Sequence, residues 1–306
     1  MHKEITILQA AVLPEKTHRE LREHFTVLSW PADPTDIDQF LADHGKEIRG
    51  IAVRKTHIDE ALMQRLPALE VISSYSAGLE GVDVEAARAR GIVVHNTSKV
   101  LAEDVADLGL GLILNVTRGL HRGHNFVREE RWPHEAFPLG RSLRALSVGV
   151  IGLGHIGLAL ARRLESMGVA LAYYGPNEKP VPYPFFPDLH ALATWADMLV
   201  VTCPGGDATH HLVNDRILAA LGAEGFLVNI SRGTVVDEPA LIAALDSHAL
   251  AGAALDVFEN EPNVAPELRN NDRVVLSPHM GSGTKETRQL MGDSVVGSLL
   301  AHFRGV

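Results

Sequence analysis

Three residues late in the chain, Arg232, Glu261 and His279, carry side chains that together can act on a carbonyl acid. Each follows a short apolar run that reads as a strand. A guanidinium holds a carboxylate through two parallel hydrogen bonds and polarises the carbonyl beside it. An imidazole exchanges protons near neutral pH and can protonate a carbonyl oxygen. A carboxylate can orient that imidazole and favour its charged form. Singly, each residue has an ordinary explanation. Arg232 could be a salt-bridge partner, His279 part of a structural Pro-His turn, and Glu261 the start of a surface turn before Pro262.

A second pattern lies upstream. Val148 to Ile151 is a β-branched run of the kind buried in parallel sheets. It breaks into Gly152-Leu153-Gly154-His155-Ile156-Gly157, and helical spacing follows from Leu158 to Met167. Strand, glycines and helix in that order suit a dinucleotide pyrophosphate. Gly152 allows the tight turn, Gly154 lets the backbone approach the phosphates, and Gly157 lets helix pack on strand. The helix N-terminus adds free N–H groups and a positive dipole end. With a nicotinamide to supply hydride, the three later side chains become the equipment for interconverting a 2-oxo acid and a 2-hydroxy acid.

The elements that position these residues alternate along the whole chain. Strands are expected at residues 5–8, 26–29, 50–53, 71–73 and 92–95, with helices at 14–24, 36–44, 59–65 and 83–90 between them. Gly45 reads as a left-handed cap on the second of these helices. A long helix is expected over Leu101 to Leu120, with Glu103 and Asp104 in its first turn and Arg118 near its end. Residues 121–147 read as partly loop or arm. A second series follows, with strands at 148–151, 169–174, 198–202, 226–230, 253–257 and 274–276, helices between them, and a closing helix from Thr284 to Phe303. The fold class is α/β, with two doubly wound parallel sheets in series.

Composition narrows the function classes. The 306 residues are 46% hydrophobic and 22% charged, as in water-soluble domains, and the formal net charge of −10 argues against a broad nucleic-acid-binding face. A single cysteine, Cys203, rules out an intrachain disulfide and fits a reducing compartment. No stretch reads as a signal peptide or membrane span, so a cytoplasmic protein with no membrane or nucleic-acid partner is expected. The sixteen histidines are scattered, and none stands in a metal-binding frame, so no metal is expected.

Five motifs in order resemble the D-isomer-specific 2-hydroxyacid dehydrogenase family. They are Leu101 to Asp107, the Gly152 to Gly157 loop, Asn229 to Glu238, Leu255 to Pro262 and Ser277 to Ser282. The resemblance covers nearly the whole chain. It implies a Rossmann-type dinucleotide-binding domain, residues 97–282, inserted into a flavodoxin-like substrate domain, residues 1–96 plus 283–306. It implies Arg232, Glu261 and His279 as the catalytic set, with Ser76, Ala77 and Gly78 offering backbone N–H groups to the substrate carboxylate. Gly152, Gly154, His155, Ile156, Gly157, Cys203, Pro204, Thr209, Ile230, Asp256 and Gly281 would border the cofactor, with Asp256 on the nicotinamide amide. A homodimer is implied, held partly by the long helix and the arm after it.

Within the family, Cys203 to Thr209 and the Trp132 region resemble the glyoxylate/hydroxypyruvate and hydroxyphenylpyruvate reductases. In some of these an arm tryptophan reaches the partner's active site. Trp132 could do so, or could simply pack between subunits.

The dinucleotide is the point of departure. An NAD enzyme places Asp or Glu at the end of the second strand, about 20 residues on, to bind the ribose 2′-OH. Here the sequence reads Tyr173-Tyr174-Gly175-Pro176-Asn177-Glu178-Lys179, with no acid at Tyr174 or Gly175. The arginine that NADPH-using reductases carry near Pro176 is missing too. Asn177 and Lys179 could contact a 2′-phosphate, which tips the expectation to NADP(H) over NAD(H). A nucleotide-sensing regulator on the same fold would need no full Arg, Glu and His set. A dehydrogenase of another small acid, such as phosphite or formate, is excluded less firmly.

Overall fold

Short β-branched runs alternating with helices build two parallel sheets. The computed structural model describes residues 2–304; Met1, Gly305 and Val306 lie outside the described residues. The chain divides into two compact units, Met1–Leu101 with Thr284–Val306, and Ala102–Gly283.

In chain order, the first unit holds β1 (His2–Ala10), α1 (Glu15–His24), β2 (Phe25–Ser29), α2 (Ile37–His44), β3 (Ile48–Val53), α3 (Glu60–Gln64), β4 (Val71–Ser74), α4 (Val84–Ala89) and β5 (Val93–His95). Its sheet has the order β2-β1-β3-β4-β5, and every pairing is parallel. Asp59 and Asp83 cap α3 and α4 by accepting the Leu62 and Ala86 N–H groups at 2.8 and 2.9 Å. Gly45 departs from expectation. Its φ is −57°, in the right-handed region. A Cβ there would lie 2.5 Å from the carbonyl oxygens of Leu41 and Arg65, so close backbone approach is what demands glycine.

The second unit holds α5 (Ala102–Arg118), α6 (Leu120–Arg128), β6 (Ser147–Ile151), α7 (His155–Ser166), β7 (Ala170–Tyr174), β8 (Phe185–Phe186), α8 (Leu189–Trp195), β9 (Met198–Val201), α9 (Asp215–Leu221), β10 (Phe226–Asn229), α10 (Glu238–Asp246), β11 (Gly252–Leu255), α11 (Pro266–Arg269) and β12 (Val274–Leu276). The sheet order is β12-β11-β10-β9-β6-β7-β8, again all parallel. The central strand β9 has no measurable exposure at any of its four residues, which is why it reads as an unbroken Met-Leu-Val-Val run. The order reverses between β6 and β9, which opens a crevice at their carboxyl ends.

The helix expected through Leu120 stops at Arg118, because Gly119 takes φ +63° and turns the chain into α6. Residues 121–128, within the stretch that reads as partly loop or arm, are therefore helical. Helix α7 also begins earlier than expected, at His155, so the glycine turn feeds it directly.

The closing helix α12 (Lys285–Phe303) belongs to the first unit. Thr284 caps it by accepting the Thr287 N–H at 3.1 Å. A Cβ at Gly292 would lie 2.0 Å from Thr17 Oγ1, so α12 meets α1 at very short range. Ser298 and Ser73 hydroxyls join at 2.7 Å, and Leu299 and Phe303 fill the core with no exposure.

Candidate active site

The turn after β6 lies at the crevice. Gly152 has φ +92°, and a Cβ on it would stand 2.6 Å from Cys203 Cα, at the end of β9. Both the turn and the neighbouring strand therefore exclude a side chain. At Gly157 a Cβ would lie 2.3 Å from the Gly152 carbonyl oxygen, which ties helix to turn. Gly154 differs. It is exposed, and a Cβ there meets nothing within 4 Å. The space is open, as an approaching ligand requires. The helical ladder begins with Leu158 N–H donating to Gly154 O at 2.9 Å. The N–H groups of His155, Ile156 and Gly157 precede it and have no partner within the helix. Open space at Gly154, close packing on both sides of it and free amides at a helix N-terminus fit a dinucleotide pyrophosphate.

The expected phosphate residues lie on the exposed run after β7. Lys179 reaches back to the turn, its Nζ donating to Leu153 O at 2.7 Å. Its own N–H donates to Tyr173 Oη at 2.6 Å. Asn177 is exposed, and Tyr174 at the strand end is half-buried. A cation is thus held against the glycine turn.

Across the crevice, burial pushes the Cys203 thiol up to about 11. The hydroxyl of Ser231 donates to the Cys203 carbonyl. Pro204 is exposed, and its carbonyl accepts the Thr209 hydroxyl at 2.7 Å. Ile230 is buried, and its Cδ1 lies only 2.8 Å from where a Cβ on Gly109 of α5 would stand.

The three chemical side chains follow β10, β11 and β12. Asn229 anchors the first turn, donating through Nδ2 to Arg232 O at 2.9 Å and accepting the Ser231 N–H at 3.1 Å. Arg232 is half-buried and its Nη1 donates to Ser231 O at 2.7 Å. Gly233 presses on the next loop so tightly that a Cβ would fall 1.9 Å from the Phe258 carbonyl. That contact seats the Arg232 turn on the loop that carries Glu261. His211 Nε2 lies 2.8 Å from Glu259 Oε1 and ties the same loop to the segment after β9. The ligand atoms of His210, His211 and Glu259 lie within 4.8 Å of one another, a grouping that sequence spacing did not reveal.

Glu261 Oε2 lies 2.7 Å from His279 Nδ1, and Glu261 Oε1 accepts the Phe258 N–H at 3.1 Å. The carboxylate is thus fixed at one end and holds the imidazole at the other, leaving His279 Nε2 for a ligand. His279 itself has φ +50°, in a region that suits few side chains.

Asp256 maintains that turn. It is 1% exposed, and its carboxylate accepts the Ser277 hydroxyl at 2.6 Å and the N–H groups of Met280 and Gly281, both at 2.9 Å. Its carbonyl accepts the His279 N–H at 2.8 Å. The sequence suggested Asp256 as a cofactor contact. In the structure its carboxylate is engaged by the turn that presents His279.

Ser76, Ala77 and Gly78 belong to the first unit, directly after β4. The carbonyls of Ser76 and Ala77 are taken by the Thr97 N–H at 3.0 Å and Asn96 Nδ2 at 2.9 Å. Among the described residues, none of the three N–H groups donates to a protein acceptor. Three successive half-buried amides with no acceptor are suited to an anion. Trp132, in the second unit, is 68% exposed.

The geometry agrees with what comparison with known proteins finds. The family described as D-isomer specific 2-hydroxyacid dehydrogenase, NAD binding domain, matches residues 110–281. The chain belongs to this family. Glyoxylate/hydroxypyruvate reductase A of Arabidopsis thaliana is 43% identical over 98% of this chain and 96% of its own length. Hydroxyphenylpyruvate reductase of Plectranthus scutellarioides is 41% identical over the same shares. Among solved structures, the NADPH-dependent glyoxylate/hydroxypyruvate reductase of Sinorhizobium meliloti, in complex with NADP and malonate, superposes with a TM-score of 0.88. It is 42% identical, covering 98% of this chain and 94% of that one. This dehydrogenase has the α/β fold of its family, a Rossmann-type sheet order in the second unit included. No helix among its described residues is long and apolar enough to cross a membrane.

Proposed function

We propose that this dehydrogenase reduces a small 2-oxo acid of the glyoxylate or hydroxypyruvate kind to its D-2-hydroxy acid. The observation that carries the reading is the His279–Glu261 pair, 2.7 Å apart, with Glu261 on the loop pressed against the Arg232 turn. A bound NAD(P)H supplies the hydride. The chain's own side chains do the rest. Arg232 holds the substrate carboxylate and polarises the carbonyl. His279 delivers a proton from Nε2 to the carbonyl oxygen, while Nδ1–H stays on Glu261. The free amides of Ser76, Ala77 and Gly78 receive the substrate carboxylate.

The dinucleotide would lie across the Gly152 to Gly157 turn, bordered by Cys203, Pro204, Thr209, Ile230, Asp256 and Gly281. NADP(H) is the preferred partner. Tyr174 stands where an acid would repel a 2′-phosphate, Lys179 and Asn177 lie on the run after it, and the Sinorhizobium relative is NADPH-dependent. A homodimer is supported by the exposed apolar side chains along α6 and the segment after it, Leu120, Val127, Trp132 and Leu139. Trp132 would then be available to the partner's substrate. A cytoplasmic setting fits the single cysteine.

The test is oxidation of NADPH and of NADH with glyoxylate, hydroxypyruvate, pyruvate and phenylpyruvates. Turnover of a small 2-oxo acid, faster with NADPH, is expected. No turnover with any of them would overturn the reading.

A further inference from the structure

His210 and His211 are neighbours in the chain after β9, and successive side chains of an extended segment point to opposite faces. Here they do not. His211 has φ +48°, in the left-handed region that suits few side chains. The two imidazoles stack with centroids 4.0 Å apart and planes 27° from parallel. Backbone strain of this kind persists only where the surroundings hold it in place. The His211 N–H donates to Thr234 O at 2.8 Å, the Val213 N–H to Val235 O at 3.0 Å and the Asp237 N–H to Val213 O at 3.0 Å. The paired rings are therefore fixed against the segment that leads into α10.

Glu259 approaches them from the loop after β11. Its Oε1 lies 2.8 Å from His211 Nε2, and its own N–H donates to Glu238 Oε2, at the start of α10, at 3.1 Å. On the far side of the His211 ring, Nδ1 lies 3.8 Å from Asp237 Oδ2. Asp237 Oδ1 caps α10 by accepting the Ala240 N–H at 3.0 Å, which holds that carboxylate beside the ring. Two imidazoles and one carboxylate thus converge from two loops, each offering a ligand atom within 4.8 Å of the others. His210 is exposed and the other two are half-buried, so solvent reaches the group.

Two imidazole nitrogens and a carboxylate oxygen suit zinc and its neighbours among the divalent transition metals, whereas magnesium and calcium favour oxygen alone. Ligand atoms on one tetrahedral zinc stand about 3.3 Å apart at ordinary bond lengths. His211 Nε2 and Glu259 Oε1 are already near that spacing. A carboxylate beside the second nitrogen of a ligating imidazole fixes its orientation, the place Asp237 takes here.

We propose that His210, His211 and Glu259 bind a zinc-like divalent transition-metal ion, with water completing its coordination. The ion clamps the segment after β9 to the loop on which Glu261 lies two residues beyond Glu259. The clamp is independent of the reductase reading.

The test uses the full chain, stripped with EDTA and dialysed, and titrated with Zn²⁺ by calorimetry. Wild-type protein should show one saturable site per chain, insensitive to excess Mg²⁺, and its melting midpoint should rise with Zn²⁺. His210→Ala and Glu259→Gln should each weaken that binding by about tenfold or more, while His57→Ala, in the other unit, should leave it unchanged. In the wild-type protein the ring NMR signals of His210 and His211 should be the ones that move on adding Zn²⁺, a reading that needs no variant to fold. Absence of a saturable site, binding equal in all variants, or signals that move only at other histidines would overturn the proposal.

Discussion

Asp256 Oδ2 accepts the backbone N–H of Gly281 at 2.9 Å from a site that is 1% exposed. With Ser277 and Met280 on the other oxygen, one buried carboxylate defines the turn on which His279 stands. Asp256→Asn puts an amide group where a donor now finds an acceptor. The variant should lose roughly 1–3 kcal/mol of stability, read by denaturant titration. Its kcat should fall by about tenfold or more while KM for the 2-oxo acid changes little, because the proton donor is displaced and the carboxylate contacts are not.

Arg232 is positioned by Asn229 below it and by the Gly233 contact beside it. Arg232→Lys keeps the charge and loses the planar fork, so kcat/KM should fall by roughly a hundredfold, with KM carrying much of the loss. Steady-state kinetics with the preferred acid checks this. An unaltered KM would remove Arg232 from the carboxylate.

The proposed preference for NADP(H) is tested at Lys179. Its Nζ already sits 2.7 Å from Leu153 O, against the glycine turn. Lys179→Ala and Asn177→Ala should each lower the NADPH-to-NADH ratio of kcat/KM, by about tenfold for the lysine. If Lys179 only braces the turn, both nucleotides will suffer equally and the ratio will hold.

Burial raises the Cys203 thiol from 9.0 to about 11. The neutral thiol is the form the fold favours. Its contribution is fully present below pH 9 and is lost as pH rises through about 11. Folded protein should therefore react slowly with iodoacetamide at pH 8, and denatured protein quickly. Rapid alkylation of the folded protein at pH 8 would show the thiol to be exposed.

The strands were legible because buried parallel strands are continuous apolar runs, as Met198 to Val201 illustrates. The glycine turn was legible because Gly152 and Gly157 allow no side chain at all. Helix α6 was not. Leu120 to Arg128 is mostly polar, so its periodicity is faint, and Gly119 hides the boundary from α5. Gly45 misled because glycine serves close approach as well as left-handed turns, and only the position of Arg65 shows which.

Residue types and order pointed to Arg232, Glu261 and His279, but not to what holds them. The saturation of Asp256 by the His279 turn is a tertiary fact, since α11, β12 and the loops joining them separate Asp256 from Gly281. The same is true of the Ser76 to Gly78 amides. They stand out because Asn96 and Thr97 take the carbonyls and leave the N–H groups.

The most direct test compares wild-type and His279→Ala protein under saturating NADPH and the best 2-oxo acid. If His279 delivers the proton, kcat should drop by roughly 10²–10⁴-fold. Binding of NADPH, followed by fluorescence, should persist. A His279→Ala protein that turns over at near the wild-type rate would contradict the proposed chemistry of the site.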